Sequence, residues 1–287
     1  MLAKFGPAGN SDSFLAKGYK TNKDIPKYLK EFDLDAYEYQ CGRGVKVNPK
    51  AANEFGMLAL EHNIALSLHA PYYISLSSIE KEKRDNSIRY IVESATAANA
   101  MGATRIVVHS GSCGKLSREQ ALDYAKDTLQ RAQLELDELE LGHIHICPET
   151  MGKVNQLGDL YEVMQLCKVD ERMIPCIDFG HLNARTFGGI ANQADYAKII
   201  DTIEAELGFD RLKVFHSHFS KIEYTDKGGE KRHLTFEDTI YGPQFEPLAE
   251  LIAKKGLAPT FICESAGTQA EDSAFMKQIY LSLLKGE

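Results

Sequence analysis

Six apolar runs in this chain end in a side chain that can bind a metal or move a proton. Five close on His69, His109, Asp178, His216 and Glu264, and a sixth closes on Pro148 with Glu149 next. Imidazoles and carboxylates in this mixture are the ligand types of a divalent metal site. A lone polar residue after a strand is commonly a helix cap or a satisfied core group. Six in succession differ, because that many titratable groups in one cavity cost several kcal/mol unless something neutralises them. His181 follows Asp178 by three residues, and His233 lies beyond the Gly228-Gly229 turn, so both can join the same cavity. His218 alternates with His216 on one strand face and is an alternative ligand. His143 and His145 begin the fifth run, at the opposite end, and His62 ends a helix, so these three read as structural.

Four residues are candidates for contact with substrate. Tyr72, in Pro71-Tyr72-Tyr73, offers a ring that can stack on a base or a sugar. Lys221, Lys231 and Arg232 make the segment after the seventh run positive, as an anion-binding lid requires, although most loop charges are merely solvated.

The elements that must position these residues alternate regularly. Strand-like runs cover residues 3–6, 36–39, 64–68, 105–108, 144–147, 174–177, 213–215 and 260–263. Helical patterning covers 24–32, 49–62, 87–101, 117–139, 157–166, 194–207, 245–255 and 273–285. Ser117 with Gln120 forms a capping box, and Gly102 and Gly256 stand where helices should stop. Strict alternation implies right-handed crossovers and a parallel sheet. Eight units in 287 residues suit a single (β/α)8 TIM barrel spanning 1–287, with the polar residues gathered at the C-terminal ends of the strands. An open doubly wound sheet usually carries a glycine-rich phosphate loop after its first strand, and the turn here reads GPAGN. Two long connections, 179–193 and 217–244, are expected to be functional, the second folded back as a hairpin at Thr225–Glu230.

Composition narrows the class. Hydrophobic residues make up 44% and charged residues 26%, which excludes a disordered or fibrous chain. A net charge of -8 argues against wrapping nucleic acid with a basic surface and leaves the positive charge to metal ions or a few loop cations. The six cysteines are scattered without disulfide-like spacing. No run approaches 18 apolar residues, and the N-terminal apolar run is too short for a signal peptide. A cytoplasmic protein that does not engage membranes is expected.

The ordered motifs resemble the endonuclease IV family of abasic-site repair enzymes. His69-Ala-Pro-Tyr-Tyr73 and Val108-His109-Ser-Gly-Ser112 are similar to its third- and fourth-strand motifs. Pro148-Glu149-Thr150 with Leu157-Gly158 is similar to the fifth, and Cys176-Ile-Asp178-Phe-Gly-His181 matches its C-x-D-x-x-H signature. Phe215-His216 with Lys221, Arg232-His233, and Ile262-Cys-Glu264-Ser265 complete the series. The resemblance implies a zinc-dependent phosphodiesterase that hydrolyses the backbone of double-stranded DNA 5′ to abasic sites, acting as a monomer. It implies His69, His109 and Glu149 on one ion. Glu149 would bridge to a second ion held by Asp178, His216 and Glu264, and His181 and His233 would hold a third. Glu149 and Glu264 are the catalytic carboxylates of this reading, and Tyr72 would lie at the DNA surface.

Three departures stand out. Lys231 occupies the position of a family Asp two residues before the loop histidine, and an ammonium does not ligate zinc. Two ions are therefore implied, and a third if Glu230 substitutes. Ser217-His218-Phe219 replaces an Asn-Asp run, and the second-strand loop, Gln40–Gly44, is short. The alternative is a sugar isomerase or epimerase of the related xylose isomerase-like barrels, with Glu149, Asp178, His216 and Glu264 around a single Mn2+ or Mg2+.

Overall fold

The computed structural model describes residues 2–285. Residues 1, 286 and 287 of the expected 1–287 domain lie outside this range. Ten strands are present among the described residues: β1 (Lys4–Pro7), β2 (Ala36–Gln40), β3 (Ala65–His69), β4 (Arg105–Val108), β5 (His145–Pro148), β6 (Cys176–Asp178), β7 (His216–Phe219), β8 (Ile222–Thr225), β9 (Gly229–His233) and β10 (Thr260–Cys263). Parallel ladders join β2-β3-β4-β5 and β6-β7-β10-β1. Parallel bridges Ala8–Glu38 and Glu149–Cys176 close these two sheets into one eight-stranded barrel. The fold is the expected (β/α)8 TIM barrel, with β8 and β9 forming an antiparallel hairpin above it.

Local chemistry sets the helix boundaries. Ser117 and Gln120 exchange side-chain and backbone hydrogen bonds at 3.2 Å, starting helix Arg118–Glu138 as its spacing predicts. Gly102 and Gly256 take left-handed backbone where two helices hand over to strands. The expected loop 179–193 is partly helical: Phe179–Arg185 starts directly from β6, because the Asp178 side chain caps it at the backbone N–H of His181.

The seventh strand needs correction. Residues 213–215 are not a strand; the segment Phe209–Lys213 is a short helix, and β7 begins at His216. Apolar Val214 and Phe215 follow the helix rather than marking a strand. The strand, and with it the rim of the barrel, therefore lies farther along the chain. In the ladder Cys176 pairs with His216 and Asp178 pairs with His218, so His218 is the residue level with the barrel mouth.

Most of the apolar core lies between barrel and helices, and a separate small cluster joins Val107, Cys147, Ile174 and Cys176. The barrel lumen itself is polar, holding Glu38, Ser67, His216 and His218 with no more than 3% exposure. Branched apolar layers normally fill this space.

Candidate metal centre

At the C-terminal mouth of the barrel an open cavity of about 520 Å³ is lined by His69, His109, Glu149, His181, His233 and Glu264, among others. Glu149 is its hub. One carboxylate oxygen, Oε2, faces His69 Nε2 at 3.4 Å and His109 Nε2 at 3.1 Å. The other, Oε1, faces His218 Nδ1 at 3.1 Å and His181 Nδ1 at 3.3 Å. The carboxylate thus spans two sets of histidines, which is the geometry a bridging ligand requires.

Backbone carbonyls fix two of these rings. His69 Nδ1 donates to the Ala70 carbonyl at 2.8 Å, and His181 Nδ1 donates to the Thr150 carbonyl at 3.0 Å. A carbonyl only accepts, so each donor nitrogen is assigned and Nε2 is left for other partners. In His69 the lone pair of a neutral Nε2 then points at a carboxylate oxygen. Two acceptors so placed need a proton or a cation between them.

Asp178 shows a similar division. Its Oδ1 caps the following helix at 2.7 Å, whereas Oδ2 is buried without a hydrogen-bond partner. Glu149 Oε2 is likewise buried and unpartnered. Orphaned carboxylate oxygens cost at least about 1–3 kcal/mol each when nothing compensates them. Burial pushes the Asp178 carboxyl up to about 6 despite the opposing charge of His181. Burial also opposes charge on Glu149, but the charges of His218 and His109 hold it well below the usual range. His218 is depressed by burial yet raised well above its ordinary value by Cys176 and by the carboxylates of Glu264, Glu38 and Glu149 around it. The orphaned oxygens and this donor set fit a divalent cation.

Ligand-type atoms gather in three groups at the mouth: His69, Glu149 and His218; Glu149, Asp178, His218 and Glu264; and His181, Glu230 and His233. His109 adjoins the first through Glu149. His216 belongs to none of them. It lies one layer deeper, grouped with Cys176 and His218, its Nε2 2.9 Å from Glu38, and burial lowers its pKa to about 4. The expected position of His216 at the mouth is thus taken by His218, as the register of β7 dictates.

The hairpin resolves the Lys231 departure. Tyr224 pairs with Glu230 and Glu223 pairs with Arg232, so Lys231 is the extra residue of a β-bulge. Regular alternation would place residue 231 on the His233 face. The bulge places Glu230 there instead, with Oε2 3.5 Å from His181 Nε2. Lys231 and Arg232 turn outward, 54% and 69% exposed, and both pair with Glu223. Lys221 is buried, its ammonium donating to the Phe236 and Asp238 carbonyls, and it holds the chain after β9. None of these three cations lines the cavity, contrary to the expected substrate contacts; Lys153 does. Tyr72 does as well, its ring centroid 5.5 Å from those of His69 and His109.

Gly152 makes the hairpin approach possible. A Cβ there would lie 2.6 Å from Glu230 Cβ and 2.8 Å from His181 Cδ2. The Gly152 carbonyl receives the Glu230 backbone N–H at 3.1 Å, tying the loop after β5 to the hairpin. Sequence reasoning missed Lys153, and it also missed Glu38, whose carboxylate is fully buried in the lumen. Glu38 sits in Ala-Tyr-Glu-Tyr-Gln, where a charged residue reads as the solvent face of a strand. No helix among the described residues is long and apolar enough to cross a membrane, and all six cysteines are free and buried.

Comparison with known proteins follows the same lines. A family profile described as xylose isomerase-like TIM barrel matches residues 26–279. An uncharacterized protein of Methanocaldococcus jannaschii is 34% identical over 252 residues, covering 87% of this chain and 88% of that one. A Mycoplasma pneumoniae protein named probable endonuclease 4 is 31% identical over 218 residues, covering 73% and 72%. Among solved structures, a D-tagatose 3-epimerase-like protein superposes with TM-score 0.73 at 19% identity, covering 99% and 98%. Endonuclease IV from Thermus thermophilus superposes with TM-score 0.67 at 16% identity, covering 99% and 100%. At such identities the two structures share the fold and do not choose between chemistries.

Proposed function

Because the chain belongs to the xylose isomerase-like TIM barrel family, with endonuclease 4 proteins among its relatives, we propose that it is a zinc-dependent phosphodiesterase of endonuclease IV type. Its substrate is double-stranded DNA with an abasic site, cut on the 5′ side. The observation that carries this reading is the third ligand group, His181, Glu230 and His233, beside the Glu149 hub. A single-ion isomerase needs only the four ligands Glu149, Asp178, His218 and Glu264. It has no use for two further histidines on Glu149 Oε2 or for a hairpin bulged to deliver a carboxylate.

In this reading His69, His109 and Glu149 hold one ion. Glu149, Asp178, His218 and Glu264 hold a second, and His181, Glu230 and His233 hold a third. Bound zinc supplies a Lewis acid that acidifies water and offsets charge on the attacking and leaving oxygens of an in-line displacement. The protein supplies placement. Glu149 keeps two histidine sets on opposite oxygens of one carboxylate. Glu264, 16% exposed at the cavity wall, has Oε1 3.6 Å from His218 Nδ1 and Oε2 4.0 Å from His233 Nδ1. It is positioned to take the proton of water attacking the phosphate. Tyr72, 58% exposed, covers His69 and His109 and offers a stacking face to an unpaired nucleotide, with Lys153 opposite a phosphate.

The sugar epimerase reading keeps one observation in its favour. The four-ligand group sits in a barrel that superposes well on the D-tagatose 3-epimerase-like protein. One experiment separates the two: count metal per chain, then assay a duplex with a single abasic site with and without chelator. Two or three zinc ions with chelator-sensitive incision support the phosphodiesterase. A single manganese, no incision and turnover of a ketose overturn it.

A further inference from the structure

Glu38 rises from the middle of β2 into the barrel lumen, directly beneath the metal centre, and is 0% exposed. Every hydrogen-bonding position of its carboxylate is filled. Oε1 accepts from His218 Nε2 at 2.9 Å and from Gln40 Nε2 at 3.3 Å. Oε2 accepts from His216 Nε2 at 2.9 Å and from Ser67 Oγ at 2.8 Å. A buried charge surrounded only by donors is held in one place and one ionisation state.

The consequence falls on His218. An ionised carboxylate only accepts, so the Nε2 facing Glu38 must carry a proton. The other nitrogen, Nδ1, points the opposite way, 3.1 Å from Glu149 Oε1 and 3.6 Å from Glu264 Oε1, among the ligand atoms of the mouth. His69 and His181 have backbone carbonyls in the equivalent orienting role. His218 points into the lumen from β7, and there the Glu38 carboxylate of β2 serves instead. Ser67, level with Glu38 on β3, braces that carboxylate at Oε2, and Gln40 braces it at Oε1 beside His218.

We infer that Glu38 is a positioning residue of the metal centre: it holds the Nε2 proton of His218 and so leaves Nδ1 as the ligating nitrogen. This rests on the metal-centre part of the proposed function and is independent of what the enzyme cuts. A carboxylate behind a ligating imidazole fixes its tautomer and ring angle and raises its basicity, and losing such a partner typically costs about 10–100-fold in metal affinity.

The test reads metal and tautomer rather than turnover. Glu38→Gln keeps the shape and one acceptor but removes the charge, and Glu38→Met removes acceptor and charge together. Zinc competition against a chromophoric chelator should show one ion bound about 10-fold more weakly in the first and up to about 100-fold more weakly in the second. The ion on His69 and His109 should stay tight in both. Folded variants that hold every ion as tightly as the parent overturn the inference. If the variants do not fold, the parent protein decides. Long-range 15N–1H spectra of histidine-labelled, zinc-loaded protein should show His218 protonated at Nε2 and metal-shifted at Nδ1, and the reverse pattern overturns the inference. Loss of zinc affinity in a protein that never cuts abasic DNA would leave this role standing while ending the nuclease reading.

Discussion

Glu230 and His233 face the same cavity although they are three residues apart on one strand, because Lys231 bulges out of the ladder between them. The position that resembles a lost ligand is therefore the residue that frees its neighbour to replace it. Glu230→Gln should remove one zinc per chain by elemental analysis, whereas Lys231→Ala should remove none. Deleting Lys231 restores regular alternation and keeps Glu230 on the His233 face, so the third ion should survive the deletion. Gly152→Ala should act like Glu230→Gln by pushing the hairpin off the loop after β5.

The two histidines of β7 should separate by assay. His218→Ala removes a ligand-type nitrogen beside Glu149, so affinity for one zinc ion and turnover should both fall, by more than the roughly 10–100-fold expected for a ligand's hydrogen-bond partner. His216→Leu strips one donor from buried Glu38 and should cost about 1–3 kcal/mol in denaturant unfolding, with the metal content retained. Equal zinc loss in both variants would contradict the register of β7 against β6.

Metal removal should destabilise as well as inactivate. On the proposed reading, chelation takes from the buried, unpartnered oxygens of Glu149 and Asp178 the cation that would compensate them. At a free zinc concentration 100 times the dissociation constant, binding adds about 2.7 kcal/mol. At roughly 2–4 °C per kcal/mol for a chain of this size, Tm should rise by about 5–10 °C over the chelated protein. A Tm indifferent to chelator at any zinc concentration argues against a site in the folded barrel.

Tyr72→Ala should act on substrate and spare the metal. The ring is open to the cavity and touches His69 and His109 without being a ligand. Loss of a stacking face should weaken DNA binding by about 1–3 kcal/mol, seen as a raised KM with zinc content unchanged. A fall in kcat alone would place the ring elsewhere in the reaction.

Acid stability should report on Arg172, far from the mouth. Its guanidinium clamps Asp137 at 2.6 Å and Asp170 at 2.7 Å. Hydrogen bonding to Arg172 holds both carboxyls below their ordinary values. A depressed folded-state pKa stabilises above the unfolded value near 3.8 and is lost as pH falls through the folded value. Arg172→Ala should therefore be less stable at pH 7, by about 1 kcal/mol after solvent screening. The difference should shrink below pH 4 as both aspartates protonate.

The linear chain already contained the barrel and most of its mouth. Periodicity separated strands from helices, and the polar residues closing successive runs marked one end of the barrel, because parallel strands converge there whatever loops join them. Ser117 with Gln120 and the Gly102 stop were readable because capping is local chemistry. Asp178 could be read as a cap or as a ligand, and only the fold showed that one carboxylate oxygen does the first and leaves the other free for the second. Tertiary structure alone decided between His216 and His218, since that choice is set by pairing with β6. It also decided between Glu230 and Lys231, through a bulge that no pattern within the strand announces. Glu38 was invisible for the same reason: a charged residue in a strand reads as solvent-facing until the barrel closes and brings donors from β3 and β7 around its carboxylate.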